Sequence, residues 1–154
     1  MKTKRINFKK IFIFLFFLGI YMIPYIFIPV DKEFYNSLNK INIPPFVFII
    51  IWSILYILLS LYWCNNFKKT FIEKKRLLIY LIINYLANFM FMVFMFKLHF
   101  LFWSFVCCII SFITILLSYM EVVLFDKKAS YLFIPNILWS LVGTILSVYI
   151  FLNN

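Results

Sequence analysis

The side chains that could do chemistry in this chain are amides, hydroxyls and large aromatics set within apolar segments. Asn84 and Asn88 lie four residues apart, which places both amides on one face of a helix. Amides inside a hydrocarbon layer need hydrogen-bond partners. Hydrogen bonds to a neighbouring helix are therefore the first interpretation of this pair, and a polar contact to a bound ligand is the alternative.

A second group of candidates forms a stripe along the fourth apolar segment. Its small or polar members recur at steps of three and four residues: Ser104, Cys107, Ser111, Thr114, Ser118 and Glu121. A shorter stripe follows in the fifth segment: Ser140, Gly143, Thr144 and Ser147. Small residues let helices approach closely, so both stripes predict helix packing, with a cavity wall or an oligomer face as alternatives.

Tryptophan and histidine complete the candidates. Trp52 and Trp63 share one face of the second apolar segment. Trp63 is predicted to anchor at the membrane interface, whereas Trp52 lies deeper and is predicted to pack in the bundle or against a ligand. His99, the single histidine, is interpreted as an interfacial residue, with haem ligation as the alternative. The sequence contains no acid pair, no nucleophile with a base and no metal-ligand spacing among its three cysteines.

The composition requires a membrane around these residues. The chain is 66% hydrophobic and 13% charged, whereas soluble domains are about half apolar and a quarter charged. Five apolar segments are each near the ~20 residues that cross the hydrocarbon core: 11–30, 46–64, 77–96, 100–125 and 129–152. We therefore predict an all-α integral membrane protein, a bundle of five transmembrane helices that forms a single domain over residues 1–154.

The formal charge of +10 is distributed unevenly between the loops. Alternate sides of the predicted topology carry twelve and three Lys or Arg residues. Because basic loops face the cytoplasm, the N-terminus is predicted inside, and the C-terminus and the 31–45 loop outside. The basic residues are interpreted as contacts with the anionic lipid of the bilayer and not with nucleic acid, because no basic stripe lies on a soluble face.

The 31–45 loop and the second apolar segment carry a recognisable order of residues. In chain order they are Phe34, Tyr35, Lys40, Pro44, Pro45, Phe48, Trp52, Leu55 and Tyr56. The fifth segment opens with Leu132, Pro135 and Trp139 at further matching positions. This order, placed on five spans from about Asp31 onward, resembles the TspO/MBR family, the tryptophan-rich sensory proteins, also called peripheral benzodiazepine receptor homologues.

The resemblance implies a pocket inside the bundle that opens toward the outer side, with the 31–45 loop as its lid. The ligand-binding residues that it implies are Phe34, Tyr35, Pro44, Pro45, Trp52, Asn88, Phe91, Cys107, Asn136 and Trp139. The family carries other residues at several of these positions: Trp at Phe34 and Phe91, Asp at Cys107 and Tyr at Asn136. The polar lining of the pocket is therefore expected to differ from the family pattern.

Three functions remain open on this basis. The first is binding of a porphyrin, with protoporphyrin IX or haem as the implied ligand and no resident cofactor, by a sensor, transporter or regulator of tetrapyrrole handling under stress. The second is an enzyme that degrades porphyrin with light and oxygen, with Trp52 and Trp139 as its catalytic residues. The third is a ligand-free membrane scaffold or homodimer. The expected location is the bacterial cytoplasmic membrane.

Overall fold

The computed structural model describes residues 8–41 and 43–154. Their α-helices are α1 (Phe8–Phe27), α2 (Lys32–Ser37), α3 (Pro45–Ile72), α4 (Lys75–Met92), α5 (Leu101–Val123), α6 (Lys127–Ser130) and α7 (Ile134–Asn153). A π-helical turn, Val93–Lys97, continues α4, and a 3₁₀ turn, Tyr131–Phe133, joins α6 to α7. Five long apolar helical segments, built on α1, α3, α4, α5 and α7, can each cross a membrane. The predicted fold class is confirmed.

Prolines and side-chain caps set several helix boundaries. Pro45 lies in the first turn of α3, where the missing backbone N–H of proline would have no helical partner anyway. Pro29 follows the end of α1 by two residues. Asp31 caps α2, a short helix inside the 31–45 loop, by accepting a hydrogen bond from the Phe34 backbone N–H at 2.9 Å.

Helix α3 is longer than its hydropathy predicts, since it continues eight residues past position 64. At 1.5 Å per residue its 28 residues span about 42 Å, against roughly 30 Å for the hydrocarbon core. The polar residues beyond the apolar segment stay helical, with Asn65 and Asn66 donating to the carbonyls of Leu61 and Tyr62 one turn earlier. Hydropathy marks the edge of the hydrocarbon layer and not the end of the helix.

The bundle consists of a helix pair and a helix layer. Helix α1 packs on α3, while α4, α5 and α7 pack in succession beside them. The pair meets the layer through α4 and through the 3₁₀ turn, where the Phe133 ring lies edge-on to Tyr62 at 4.9 Å between centroids. Most of the long apolar side chains that point away from these contacts are exposed, as expected of surfaces solvated by lipid.

Trp63 is buried in the helix pair, so its predicted role as an interfacial anchor is wrong. Its side chain is only 4% exposed. It stacks on Phe17 of α1 at 4.2 Å between ring centroids and donates its Nε1–H to the Tyr21 hydroxyl at 3.0 Å. The reason is that α3 extends well past Trp63, so this ring lies along the helix and under α1, not at a helix end.

The α5 stripe forms the packing seam with α4, and the predicted hydrogen bonds between helices are confirmed. Its members from Ser104 to Ser118 are buried. Asn84 donates to the Ser111 carbonyl at 2.8 Å, to the Ser111 hydroxyl at 3.1 Å and to the Thr114 hydroxyl at 3.3 Å. Asn88 donates to the Ser111 hydroxyl at 3.0 Å. Because this face is covered within one chain, it is not free to form an oligomer contact.

Two members of the α7 stripe, Thr144 and Ser147, pack on the neighbouring face of α5, whereas Gly143 faces open space. The Thr144 hydroxyl donates to the Cys108 carbonyl at 3.3 Å, and the Ser147 hydroxyl lies 3.1 Å from the Cys108 sulfur. Small side chains on both helices permit these contacts. Consecutive seams therefore join α4, α5 and α7 into one layer.

Replacing Asn84 by Leu, which has the same branching and the same number of side-chain heavy atoms, tests the first seam. The change removes three donor contacts and places an apolar group against the Ser111 and Thr114 hydroxyls, so we expect a loss of stability of about 1 kcal/mol or more. Thermal unfolding in detergent measures it. Asn65→Leu is the matched control, because the Asn65 side chain is exposed, and equal melting temperatures for both variants would contradict the role of the seam.

Candidate functional site

A small cavity lies where the helix pair meets the helix layer. Residues from α1, α3, α4 and α7 line it: Tyr21, Pro24, Trp52, Tyr56, Leu59, Asn84, Tyr85, Asn88 and Asn136. Its volume is about 20 Å³. The lining joins an aromatic wall to an amide wall inside an otherwise apolar bundle, which makes it the candidate functional site.

The aromatic wall arises from helical spacing on α1 and α3. Tyr21 and Tyr25 lie four residues apart on α1, as Trp52 and Tyr56 do on α3, so each pair shares one helix face. The Tyr21 and Tyr56 rings stack at 5.4 Å between centroids, and Trp52 lies 5.4 Å from Tyr56. Tyr25 meets Trp52 edge to face at 6.4 Å. A flat ring system placed against this wall would find several π-faces and edges.

The amide wall comes from α4 and α7. The Asn84 side chain is held by the α4–α5 seam, and Asn88 donates to the Asn84 carbonyl at 2.8 Å as well as to Ser111. Asn136 enters from the first turn of α7 and is 8% exposed. Its Nδ2 has no hydrogen-bond partner within residues 8–41 and 43–154. Two of the three amides are thus fixed by protein contacts, and the third keeps its donors free.

The cavity is too small for a large ligand while the bundle is closed. About 20 Å³ suffices for roughly one water molecule, whereas pockets for drug-sized ligands measure roughly 300–1,000 Å³. The gap most able to widen lies between α3 and α7, whose backbones approach closely at few points in the described chain. Edge-to-face rings bridge it, with Phe48 and Trp139 at 5.6 Å between centroids.

The 31–45 loop is fastened to the turn between α4 and α5. Phe34 stacks on the His99 ring at 3.8 Å between centroids, and Asp31 Oδ2 lies 3.3 Å from His99 Nε2. The Tyr35 and Phe96 rings pack at a tilt, with 6.1 Å between their centroids. His99 has a positive φ of 57°, a conformation that is uncommon outside glycine and persists where surrounding contacts hold it. The stacked ring and the paired carboxylate supply such contacts.

The same loop is also fastened to the end of α7. The Asn39 backbone N–H donates to the Asn154 side-chain oxygen at 2.9 Å, and Asn154 Nδ2 donates to the Asn39 carbonyl at 3.1 Å. Lys40 Nζ lies 4.6 Å above the Tyr35 ring. Partial burial raises the pKa of the Tyr35 phenol above 10.0, so this ring stays neutral at physiological pH. The loop therefore bridges two elements of the helix layer.

The structure brings some of the predicted site residues together and separates others. Trp52, Asn88 and Asn136 line the cavity. Trp139 packs edge-on to Phe48 between α7 and α3, outside the cavity lining. Phe34 and Tyr35 lie in the 31–45 loop, where they contact the α4–α5 turn.

The remaining predicted residues lie away from the cavity. Cys107 is buried in the stripe of α5 that packs on α4. Phe91 packs edge-on to Phe96 at 6.4 Å. Pro44 is exposed at the start of α3, and the Pro45 side chain lies outside the described part of the chain.

The predicted site residues omit the contribution of α1, of Tyr56 and Leu59 on α3, and of one tyrosine on α4. Tyr21, Pro24 and Tyr85 line the cavity. The repeat of Tyr21 and Tyr25 at four residues was the available signal, but in a segment so rich in aromatics it did not distinguish an inward face from a lipid-facing one.

These features define a small integral membrane protein of five spanning helices, with an aromatic and amide-lined cavity in the bundle beside a fastened loop. A profile of the TspO/MBR family matches residues 11–152 of the chain. The chain therefore belongs to the TspO/MBR family, as its sequence motifs predict.

Two bacterial proteins are similar over most of their length. The tryptophan-rich protein TspO of Bacillus cereus is 32% identical over 150 residues, which cover 95% of this chain and 98% of that protein. The uncharacterized membrane protein YtaB of Bacillus subtilis is 36% identical over 126 residues, or 77% and 79% of the two chains. These matches agree with a protein that resides in a membrane.

His99→Asn tests whether the contacts of His99 hold the 31–45 loop. Asparagine tolerates the positive φ, so the change removes the stacked ring and the partner of Asp31 without imposing backbone strain. We expect faster hydrogen exchange at the amides of α2, because its contacts with the α4–α5 turn are lost. Glu33→Gln, at an exposed position of α2, is the control. Unchanged exchange in His99→Asn would show that the bonds to Asn154 suffice.

Proposed function

We propose that the protein binds a flat, largely apolar ligand of the tetrapyrrole class between its helix pair and its helix layer. Protoporphyrin IX and haem are the leading candidates. In this role the protein acts as a sensor, transporter or regulator of tetrapyrrole handling under stress. The observation that carries the proposal is the cavity in which Trp52 and Tyr56 face Asn88 and Asn136, because π-faces recognise a macrocycle and amides recognise its polar groups.

Ligand entry on this proposal requires the helix pair to move away from the layer. The seams that join α4, α5 and α7 contain hydrogen bonds, whereas the gap between α3 and α7 is bridged by the Phe48 and Trp139 rings. An edge-to-face ring contact contributes only about 0.5–1.5 kcal/mol. After the helices separate and close again, the two rings can re-form it by a rotamer change. The α3–α7 gap is therefore the preferred route, and it opens laterally into the bilayer, where an apolar ligand is dissolved.

The 31–45 loop serves as a cover at the outer end of the bundle. This orientation follows from the distribution of Lys and Arg between the loops, to which Lys2, Lys4 and Arg5 contribute from outside the described residues. A cover fastened at the α4–α5 turn and at the end of α7 closes one end of the bundle while α3 remains able to move.

Titration of the purified protein with protoporphyrin IX in detergent tests the proposal, with quenching of tryptophan emission as the signal. We expect saturable quenching in the wild type. A Trp52→Phe, Trp139→Phe variant should bind roughly three- to tenfold more weakly, since it loses part of two aromatic contacts. Trp63 and Trp103 remain as its reporters.

Trp103→Phe is the matched control, because this side chain is 50% exposed and lies away from the cavity lining. It should bind as the wild type does. Quenching that does not saturate, or that is equal in every variant, would indicate partition of the porphyrin into micelles and would refute the proposed site.

Porphyrin degradation is the second candidate function. Trp52 is close to two oxidisable rings, with the centroid of Tyr56, which lines the cavity, at 5.4 Å and that of Tyr25 at 6.4 Å. If an illuminated porphyrin in the presence of oxygen is consumed there, Trp52→Phe, Trp139→Phe should slow its decay and Trp103→Phe should not. Absorbance of the porphyrin under light measures the rate. Decay in the double variant at the wild-type rate would exclude a tryptophan-dependent enzyme.

A further inference from the structure

Asn136 is a buried amide whose hydrogen-bonding capacity is unused by the protein. It is 8% exposed and lines the cavity. Its Nδ2 has no partner in the part of the chain that the structure describes. A buried donor of this kind is unfavourable unless something accepts its hydrogens, and native proteins seldom retain one without a function or an occupant.

The neighbouring amides differ from Asn136 in this respect. Asn84 uses its Nδ2 on Ser111 and Thr114, and Asn88 uses its own on Asn84 and Ser111. Both amides therefore build the α4–α5 seam as well as the cavity wall. Asn136 belongs to α7, the helix of the layer that borders the gap, and it takes no part in that seam. Among the three amides at the cavity, it is the one with donors available to an occupant.

The size of the cavity limits what can occupy it in the closed bundle and in the bundle opened between α3 and α7. When the bundle is closed, about 20 Å³ accommodates roughly one water molecule, and Nδ2 itself is covered by protein atoms that do not accept its hydrogens. A ligand that separates α3 from α7 uncovers Nδ2 and can offer it an acceptor. An edge made only of hydrocarbon would leave the donor unpaired, and sites built around a hydrogen bond discriminate strongly against analogues that cannot form it.

We infer that Asn136 is a specificity-determining residue that selects ligands with an acceptor oxygen on the edge that enters the bundle. This inference rests on the proposed function and narrows its ligand class to flat macrocycles with a carbonyl, ester or carboxylate group near their rim. Asn136 donates Nδ2–H to that oxygen, while Trp52 and Tyr56 contact the ring face. The amide does not determine whether a macrocycle binds; it determines which one binds better.

Two neutral porphyrins that differ in the acceptor test the inference. Mesoporphyrin IX dimethyl ester has two ester groups where etioporphyrin has alkyl groups, and neither molecule is ionised at its rim. Both are titrated into the wild type and Asn136→Leu in one detergent, with tryptophan quenching as the signal. The ratio of the two affinities is compared between proteins, so that differences in partition into micelles cancel.

We expect Asn136→Leu to weaken binding of the ester by about three- to tenfold, the range of one hydrogen bond, and to leave etioporphyrin affinity unchanged or higher. Ser140→Ala, which removes a hydroxyl one turn further along α7 that bonds within its own helix, should leave both affinities unchanged. Melting of the ligand-free Asn136→Leu protein should be no earlier than in the wild type, because the lost group had no protein partner. If Asn136→Leu does not fold, Asn136→Ala carries the same expectation for the affinity ratio.

The outcomes separate this inference from the function on which it rests. Equal weakening of both porphyrins, or no change in either, would overturn the role of Asn136 as a donor while leaving porphyrin binding intact. Failure of the wild type to bind either porphyrin saturably would refute the proposed function and this inference with it. Loss of ester affinity alone would support both.

Discussion

The bundle depends on one buried amide, because the hydrocarbon around it offers no hydrogen-bond partners. Asn84 joins α4 to α5 through the carbonyl and hydroxyl of Ser111 and the hydroxyl of Thr114. Small side chains on α5 permit the close approach that these bonds need. With α7 added through Cys108 and Ser147, three helices form a layer against which α1 and α3 can close or open.

The cavity lies at the boundary between the strongly joined and the weakly joined parts of the molecule. On one side the amides of α4 are immobilised by the seam, and on the other the aromatic rings of α1 and α3 pack by contact and dispersion. Lipid solvates an apolar helix surface about as well as a neighbouring helix does. The two sides therefore separate more easily than helices joined by hydrogen bonds. A site at this boundary can therefore be closed at rest and still admit a molecule much larger than 20 Å³.

Much of this architecture could be predicted from residue types and spacing. Five apolar segments indicated five spans, and Asn84 with Asn88 indicated hydrogen bonds between helices. The order of Pro44, Trp52 and Trp139 indicated the family. The candidate site was predicted in part: Trp52, Asn88 and Asn136 do line the cavity, whereas Cys107 belongs to the seam. A polar residue on a helix face signals a contact, but spacing alone does not distinguish a neighbouring helix from a ligand.

The sequence by itself determined the number of spans, the family and the faces of each helix, because hydropathy and the helical repeat are properties of one segment at a time. Only the tertiary structure decided which faces meet, since that depends on the rotation of helices against partners distant in the chain. Packing by α1 buried Trp63 and brought Tyr21 to the cavity. The position of α7 left Asn136 beside a small cavity with its donors free, a property that depends on four helices together.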